Sequence, residues 1–121
     1  EALLQEKEAA ILKRKEAAWP QPKGRPSLQR IIDIVSAETG VSENDIHTSR
    51  RDFKCTRARH IVFYAAKHLT TMSYPQIGRA IGDRDHTTVM HGSRKTELRM
   101  KADPEVADLV TRIFKILEGK S

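Results

Sequence analysis

Apolar residues recur at helical spacing in two stripes of this chain. The first stripe begins after Ser27, a good N-cap, and its helix closes at Gly40; the members are Leu28, Ile31, Ile32 and Val35. The second stripe follows Pro104, which a first helical turn tolerates; the members are Val106, Leu109, Val110, Ile113 and Leu117. Each stripe predicts an amphipathic helix that turns one face into the core.

The segment between these stripes predicts further helices. A helix from about Thr56 to Leu69 combines apolar residues with basic ones, and a short turn of helix is expected over residues 42–46. Ser73-Tyr74-Pro75-Gln76 is a capping-box pattern, which predicts a short helix over residues 74–81 that Gly82 ends. Because no segment alternates with period two for long enough to be a strand, the expected fold class is all-α, a helical bundle.

Asp85 marks the start of another predicted helix, over about residues 86–101. Its carboxylate can accept free N–H groups of the first turn. The connection Gly82-Asp83-Arg84 is about as long as the turn of a helix-turn-helix, whose second helix enters the major groove of DNA with its N-terminal end first. Val89 would turn inward as an anchor. The first-turn residues left exposed to base edges and phosphates are His86, Thr87 and Thr88.

The N-terminal part of the chain predicts a separate element. Residues 1–18 are strong helix formers without glycine or proline, which predicts an N-terminal helix. Leu4, Ile11 and Ala18 fall at heptad spacing, but Glu8 and Lys15 interrupt the seam. This helix therefore either associates with itself or another protein, or is a loose linker or packing helix.

Residues 19–26 form a proline-rich, basic linker with three prolines and one glycine, and the helical domain is expected to cover residues 27–121. Trp19 could anchor a partner or lie on the core. Packing is preferred, because a lone tryptophan gives no stacking platform for bases.

The distribution of charge indicates the kind of partner. The 121 residues are 38% hydrophobic, enough for one modest core, and the net charge is +6. Twelve Lys or Arg and four acids lie between Arg50 and Lys101, giving +8 in that stretch. Such a concentration favours a polyanion partner. A loop with Arg50, Arg51 and Lys54 could reach phosphates or a narrow minor groove.

The sequence offers little for catalysis or cofactors. Cys55 is the only cysteine, which excludes an internal disulfide, and it is either a reactive thiol or a buried filler. His86 and His91 are five residues apart, a poor spacing for a metal pair on a helix. No nucleophile–base pattern, phosphate-binding glycine loop or membrane-spanning run occurs. We expect no enzyme activity, cofactor, metal or nucleotide site, no membrane insertion, and a cytoplasmic, nucleoid-associated location.

One stretch carries a family resemblance. Ile77-Gly78, the run from Gly82 to His91 and Arg94-Lys95 together resemble the signature of the C-terminal DNA-binding domain of the bacterial replication initiator DnaA. The likeness extends from about Ser27 to the C-terminus.

The resemblance implies double-stranded DNA as partner and assigns roles to individual residues. Asp85, His86 and Thr87 would contact bases in the major groove, and Arg51 would enter the minor groove. Phosphates would be held by Thr88, His91 and Lys95, although His91 could instead pack or hydrogen-bond locally. Further interface positions are Arg59, His60, Lys67, Tyr74 and Pro75, with Arg57 as a weaker candidate.

The chain departs from the DnaA pattern at four positions. Phe53 replaces a common arginine, His60 a usual glutamine and Asp83 a usual glycine, while Ala58 stands where some members have proline. The DNA sequence that is bound can therefore differ from that of other members.

Three biological settings fit these observations. The N-terminal helix and proline-rich linker differ from the linker expected between an ATPase module and this domain, which favours a small free-standing regulator of transcription or origin use. The alternative is the DNA-recognition domain of a full replication initiator. A third interpretation is a protein-interaction adaptor whose basic face binds an acidic protein.

Overall fold

The computed structural model describes residues 26–48 and 51–118. Over these ranges the chain forms helices and contains no strand, so the predicted all-α fold with a helix-turn-helix is confirmed. The helices are α1 (Leu28–Thr39), α2 (Glu43–His47), α3 (Phe53–Leu69), α4 (Tyr74–Ala80), α5 (His86–Ala102) and α6 (Pro104–Leu117).

Helix α3 is the centre of the bundle. It packs against α1, α2, α4 and α5, while α6 closes the bundle against α1 and α5. Its residues Ile61, Val62 and Phe63 are fully buried, and α1 and α6 contribute the core residues Ile31, Val35, Val110 and Ile113. An exposed ion pair between Arg112 Nε and Glu38 Oε1, 2.6 Å apart, joins α6 to α1.

The helix starts follow the capping residues that the sequence offers. Ser27 Oγ accepts the Arg30 amide at 3.1 Å, and Asp103 Oδ1 accepts the Glu105 amide at 3.0 Å before the proline of α6. Each cap satisfies an N–H group that has no partner within the helix. These bonds explain why α1 and α6 begin where the sequence predicted.

The start of α3 is a correction. The helix begins at Phe53 rather than near Thr56, because the Asp52 carboxylate accepts the Cys55 amide at 3.3 Å and acts as N-cap. Lys54 therefore belongs to the first turn of α3 and not to the preceding loop. Cys55 itself is buried.

Several predictions fall on residues outside those described. They are the N-terminal helix over residues 1–18, the position of Trp19, most of the linker, and Arg50. Pro26, the last residue of the predicted linker, is buried at the start of the described domain. No helix among the described residues is long and apolar enough to cross a membrane.

Candidate DNA-binding interface

Helices α4 and α5 form the helix-turn-helix, and local bonds fix the start of α4. Ser73 Oγ accepts the Gln76 amide at 3.3 Å, while Gln76 Oε1 accepts the Ser73 amide at 2.7 Å. This reciprocal pair is the predicted capping box. At the other end, the Arg84 amide donates to Gly78 O at 2.6 Å, which brings the turn against α4.

The first turn of α5 combines an N-cap with exposed polar side chains. One oxygen of Asp85 accepts both the Thr87 amide, at 3.0 Å, and the Thr87 hydroxyl. His86 Nδ1 lies 3.6 Å from the other carboxylate oxygen. Asp85, His86, Thr87 and Thr88 are all exposed, and Val89 beneath them is fully buried. Because the Thr87 hydroxyl donates to Asp85, its oxygen remains available as an acceptor.

Two further exposed residues continue along α5. His91 and Lys95 lie three and seven residues after Thr88, a spacing that puts all three on one side of the helix. Gly92, between them, is buried where α5 crosses α3. A Cβ there would stand 2.6 Å from His60 Cδ2 and 2.7 Å from Phe63 Cδ2. The close crossing holds the exposed row at a fixed angle to α3.

His60 lies half-buried beneath this row. Its Nδ1 is 3.0 Å from Arg99 Nη1, and because a guanidinium can only donate, this nitrogen must accept and the ring must be neutral. Burial, together with the smaller effects of nearby Arg99, Arg59, His91 and Lys95, lowers the pKa of His60 to about 4. His60 is therefore an uncharged support for α5 at neutral pH.

This pKa predicts an acid-sensitive contribution to stability. The folded protein binds fewer protons at His60 than the unfolded chain, so the free energy of unfolding should fall as pH drops from about 6.5 toward about 4. In urea titrations at pH 7 and pH 5, the wild type should lose more stability than His60→Gln, which cannot titrate. Equal losses in the two proteins would show that protonation of His60 does not drive the change.

Arg59 does not lie on the exposed surface. The side chain is only 6% exposed, and its guanidinium donates to Ile46 O at 2.7 Å, Asp45 O at 3.0 Å and Thr48 O at 2.8 Å. Burial lowers its pKa from the usual arginine value. Arg59 thus holds the C-terminal end of α2, and a direct phosphate contact would require these bonds to break.

Arg84 performs a similar task and was missed by sequence reasoning. Its Nη1 donates to Ile81 O at 2.7 Å and to His47 O at 3.2 Å, and its Nη2 donates to Thr48 O. Arg59 and Arg84 therefore share the Thr48 carbonyl. Through it the end of α2, just before residues 49–51, is tied to the turn that precedes Asp85.

The remaining predicted residues lie around the start of α4 and around the start of α3. Lys67 Nζ lies 4.6 Å from the centre of the Tyr74 ring, with exposed Pro75 next to it in the first turn of α4. Arg51 is exposed immediately before α3, and Arg57 is partly buried on α3. The structure thus brings together the α5 row and, separately, the Lys67–Tyr74 pair.

Comparison with known proteins decides the family. Residues 28–96 match the family model described as bacterial DnaA protein helix-turn-helix. The chain belongs to this family. Its helix-turn-helix supports DNA binding as the activity of the domain.

Three similar relatives are each named chromosomal replication initiator protein DnaA. Those of Nitrobacter hamburgensis and Bradyrhizobium sp. strain BTAi1 are 38% identical, and that of Rhodopseudomonas palustris strain HaA2 is 39% identical. Each alignment covers 99 residues, or 82% of this chain and 21% of the relative. The chain therefore spans about a fifth of the length of these proteins.

The structure accounts for one departure from the DnaA pattern. Gly82 and Asp83 both have positive φ, 70° and 55°, in the turn before α5. Glycine adopts this left-handed conformation freely, and aspartate is among the few other residues that tolerate it. Asp83 can therefore replace the usual glycine while the turn keeps its shape.

No ligand set for a metal is apparent in the described part of the chain. No group of three or more His, Cys, Asp or Glu residues is arranged to hold an ion there. His86 and His91, five residues apart on α5, do not share one face of the helix. The chemistry available at this surface is hydrogen bonding and positive charge.

Proposed function

We propose that this chain binds double-stranded DNA in a sequence-specific manner, with the start of α5 in the major groove and the loop containing Arg51 in the adjacent minor groove. The exposed first turn of α5 on a helix-turn-helix frame carries the proposal. Its side chains include donors, acceptors and a methyl group, which match the features that distinguish base pairs in the major groove.

Each exposed residue has a role in this arrangement. Asp85, His86 and Thr87 contact base edges, while Thr88, His91 and Lys95 hold phosphates along the same face. Lys67, Tyr74 and Pro75 meet the backbone at the start of α4. Arg59 and His60 support the interface without contacting DNA. Arg59 is bonded to backbone carbonyls, and His60 is neutral and half-buried.

The division between base and phosphate contacts can be tested with Thr87→Ala and Lys95→Ala. Thr87→Ala should cost about 1–3 kcal/mol on the preferred duplex and relax the preference at one base pair. Lys95→Ala should weaken binding to all duplexes alike and reduce the slope of log affinity against log salt by about 1. The preferred duplex comes from selection of randomised DNA with the wild type.

A scrambled duplex of the same composition is the control for both variants. If Thr87→Ala loses the same amount of affinity for the preferred and scrambled duplexes, Thr87 makes no base contact. If the wild type itself does not distinguish the two duplexes, sequence-specific binding is refuted.

The minor-groove contact predicts a dependence on base composition. A·T tracts narrow the minor groove and deepen its negative potential, which favours an inserted arginine. Arg51→Ala should therefore lose more affinity, about tenfold more, on a site with an A·T tract at that position than on one with G·C pairs. The comparison uses two duplexes that differ only in the tract. The same loss on both would reduce Arg51 to a phosphate contact.

We propose a free-standing regulator of transcription or origin use as the biological role. The charged N-terminal segment and the three-proline linker of residues 19–26 support it. A specific observation favours a second candidate, the DNA-recognition domain of a full initiator: the similar relatives are chromosomal replication initiators about five times longer than the matched segment. The length of the native reading frame separates the two.

Residues 1–18 are proposed to bind a protein partner or a second copy of the chain. Sedimentation of the whole chain with and without these residues measures self-association. The adaptor interpretation makes a different prediction, because an acidic protein bound to the basic face would be displaced by duplex DNA of either sequence.

A further inference from the structure

A second cluster of cations lies beside the proposed interface, around the exposed ring of Phe53. Phe53 is the first residue of α3 and is 65% exposed, the largest exposure among the large apolar side chains described. The guanidinium carbons of Arg57 and Arg99 lie 5.8 and 5.5 Å from the centre of its ring. Both distances fall within the range of cation–π contact.

Arg57 and Arg99 lie near each other without a compensating negative charge. Within the described residues neither guanidinium forms an ion pair with a carboxylate. Arg57 Nε is buried and has no hydrogen-bond partner, which is costly for a charged group. Burial and the nearby Arg57 both lower the pKa of Arg99. Among the described residues, the side chain of Arg99 hydrogen-bonds only to the neutral His60, which adds no negative charge.

Two neighbouring guanidinium groups without a carboxylate partner suit an oxyanion ligand. An anion between two like charges removes their repulsion, and a forked guanidinium matches two oxygens of a phosphate group. The exposed ring of Phe53 supplies an apolar surface for the carbon atoms of an attached group.

The position of the cluster identifies the source of the phosphate. Phe53 follows Arg51 by two residues, and Arg99 lies four residues after Lys95, on the same side of α5. A protein that reaches into a minor groove at one point and the adjacent major groove at another must straddle the strand that separates them. We propose that Arg57 and Arg99 bind a backbone phosphate of this strand, with Phe53 packed against the adjoining sugar.

The inference rests on the proposed function, and its test uses the whole chain. Arg99→Ala and Arg57→Ala should each reduce affinity about five- to tenfold at physiological salt, equally on preferred and scrambled duplexes, and reduce the salt slope by about 1. Lys101→Ala is the matched control, because it removes one charge from the same helix on a different face. Lys101→Ala should leave the slope unchanged.

Neutral methylphosphonate groups, placed one at a time along the preferred duplex, identify the phosphate. One position should weaken the wild type but have no further effect on Arg99→Ala or Arg57→Ala. Phe53→Ala, a change at an exposed position, should lose about threefold affinity with the same position affected. If every position affects the wild type and the arginine variants equally, the inference is wrong.

Two other outcomes are distinguishable. Saturable binding of inorganic phosphate at the cluster, unaffected by saturating duplex DNA, would assign the site to a free phosphate and overturn the backbone contact. Specific DNA binding by the wild type, with the arginine variants equal to Lys101→Ala, overturns this inference and leaves the proposed function intact. Both the inference and the proposed function are refuted if the wild type itself fails to bind DNA. Thermal melts of each variant confirm that the measured proteins are folded.

Discussion

Replacing Gly78 with alanine is expected to destabilise the helix-turn-helix and to abolish most of its DNA affinity. A Cβ at this position would stand 2.1 Å from Arg84 O and 3.3 Å from Val89 Cγ2. The obstacle is backbone, which no rotamer change can remove, so α4 and the turn must separate. Overpacking of this kind costs about 1–3 kcal/mol and occasionally more, despite the gain in helix propensity of about 1 kcal/mol.

The measurement is the melting temperature together with affinity for the preferred duplex at a temperature where the variant remains folded. Each kcal/mol should lower the melting temperature by about 4–8 °C. Gly92→Ala is the comparison, since the atoms nearest its Cβ belong to the side chains of His60 and Phe63 and not to backbone. We expect a smaller loss there. A Gly78→Ala protein as stable as Gly92→Ala would show that the close approach of α4 and the turn is dispensable.

Local contacts set the helix starts of this protein, whereas distant contacts set the roles of two of its arginines. The boundaries of α1, α4 and α6 follow from caps at Ser27, Ser73 and Asp103, whose partners lie two or three residues along the chain. Such bonds can be predicted from a sequence, because the capping residue and its distance along the chain from the amide are both known. The exposed first turn of α5 was predictable for the same reason, since Asp85 caps it locally.

The roles of the arginines could not be predicted in this way. Arg59 bonds to a carbonyl 13 residues away and Arg84 to one 37 residues away, so only the folded bundle determines that they face backbone oxygens. A basic residue near a DNA-contacting segment looks the same in sequence whether it binds phosphate or a helix end. The neutral state of His60 likewise depends on Arg99, 39 residues later.

Arg84→Met is expected to have the second large effect, because it removes a link between the two proposed DNA-contacting elements. Methionine keeps much of the apolar stem but leaves Ile81 O, His47 O and Thr48 O without this donor. Loss of hydrogen bonds to a charged group costs about 1.5–3 kcal/mol. Urea unfolding should show this loss, whereas Arg79→Met, which removes an exposed arginine of α4, should change stability by less than about 0.5 kcal/mol.

Arg84→Met should also affect how the minor-groove and major-groove contacts are placed relative to each other. With the Thr48 carbonyl held only by Arg59, the C-terminal end of α2 is tied less firmly to the turn that precedes α5. Arg84→Met should therefore lose much of the preference for an A·T tract beside the major-groove site, in addition to overall affinity. Arg84→Lys keeps the charge but not the forked guanidinium, so its affinity and A·T preference should lie between those of the wild type and Arg84→Met. If Arg84→Met matches Arg79→Met in both stability and A·T preference, the shared carbonyl does not couple the loop to the recognition helix.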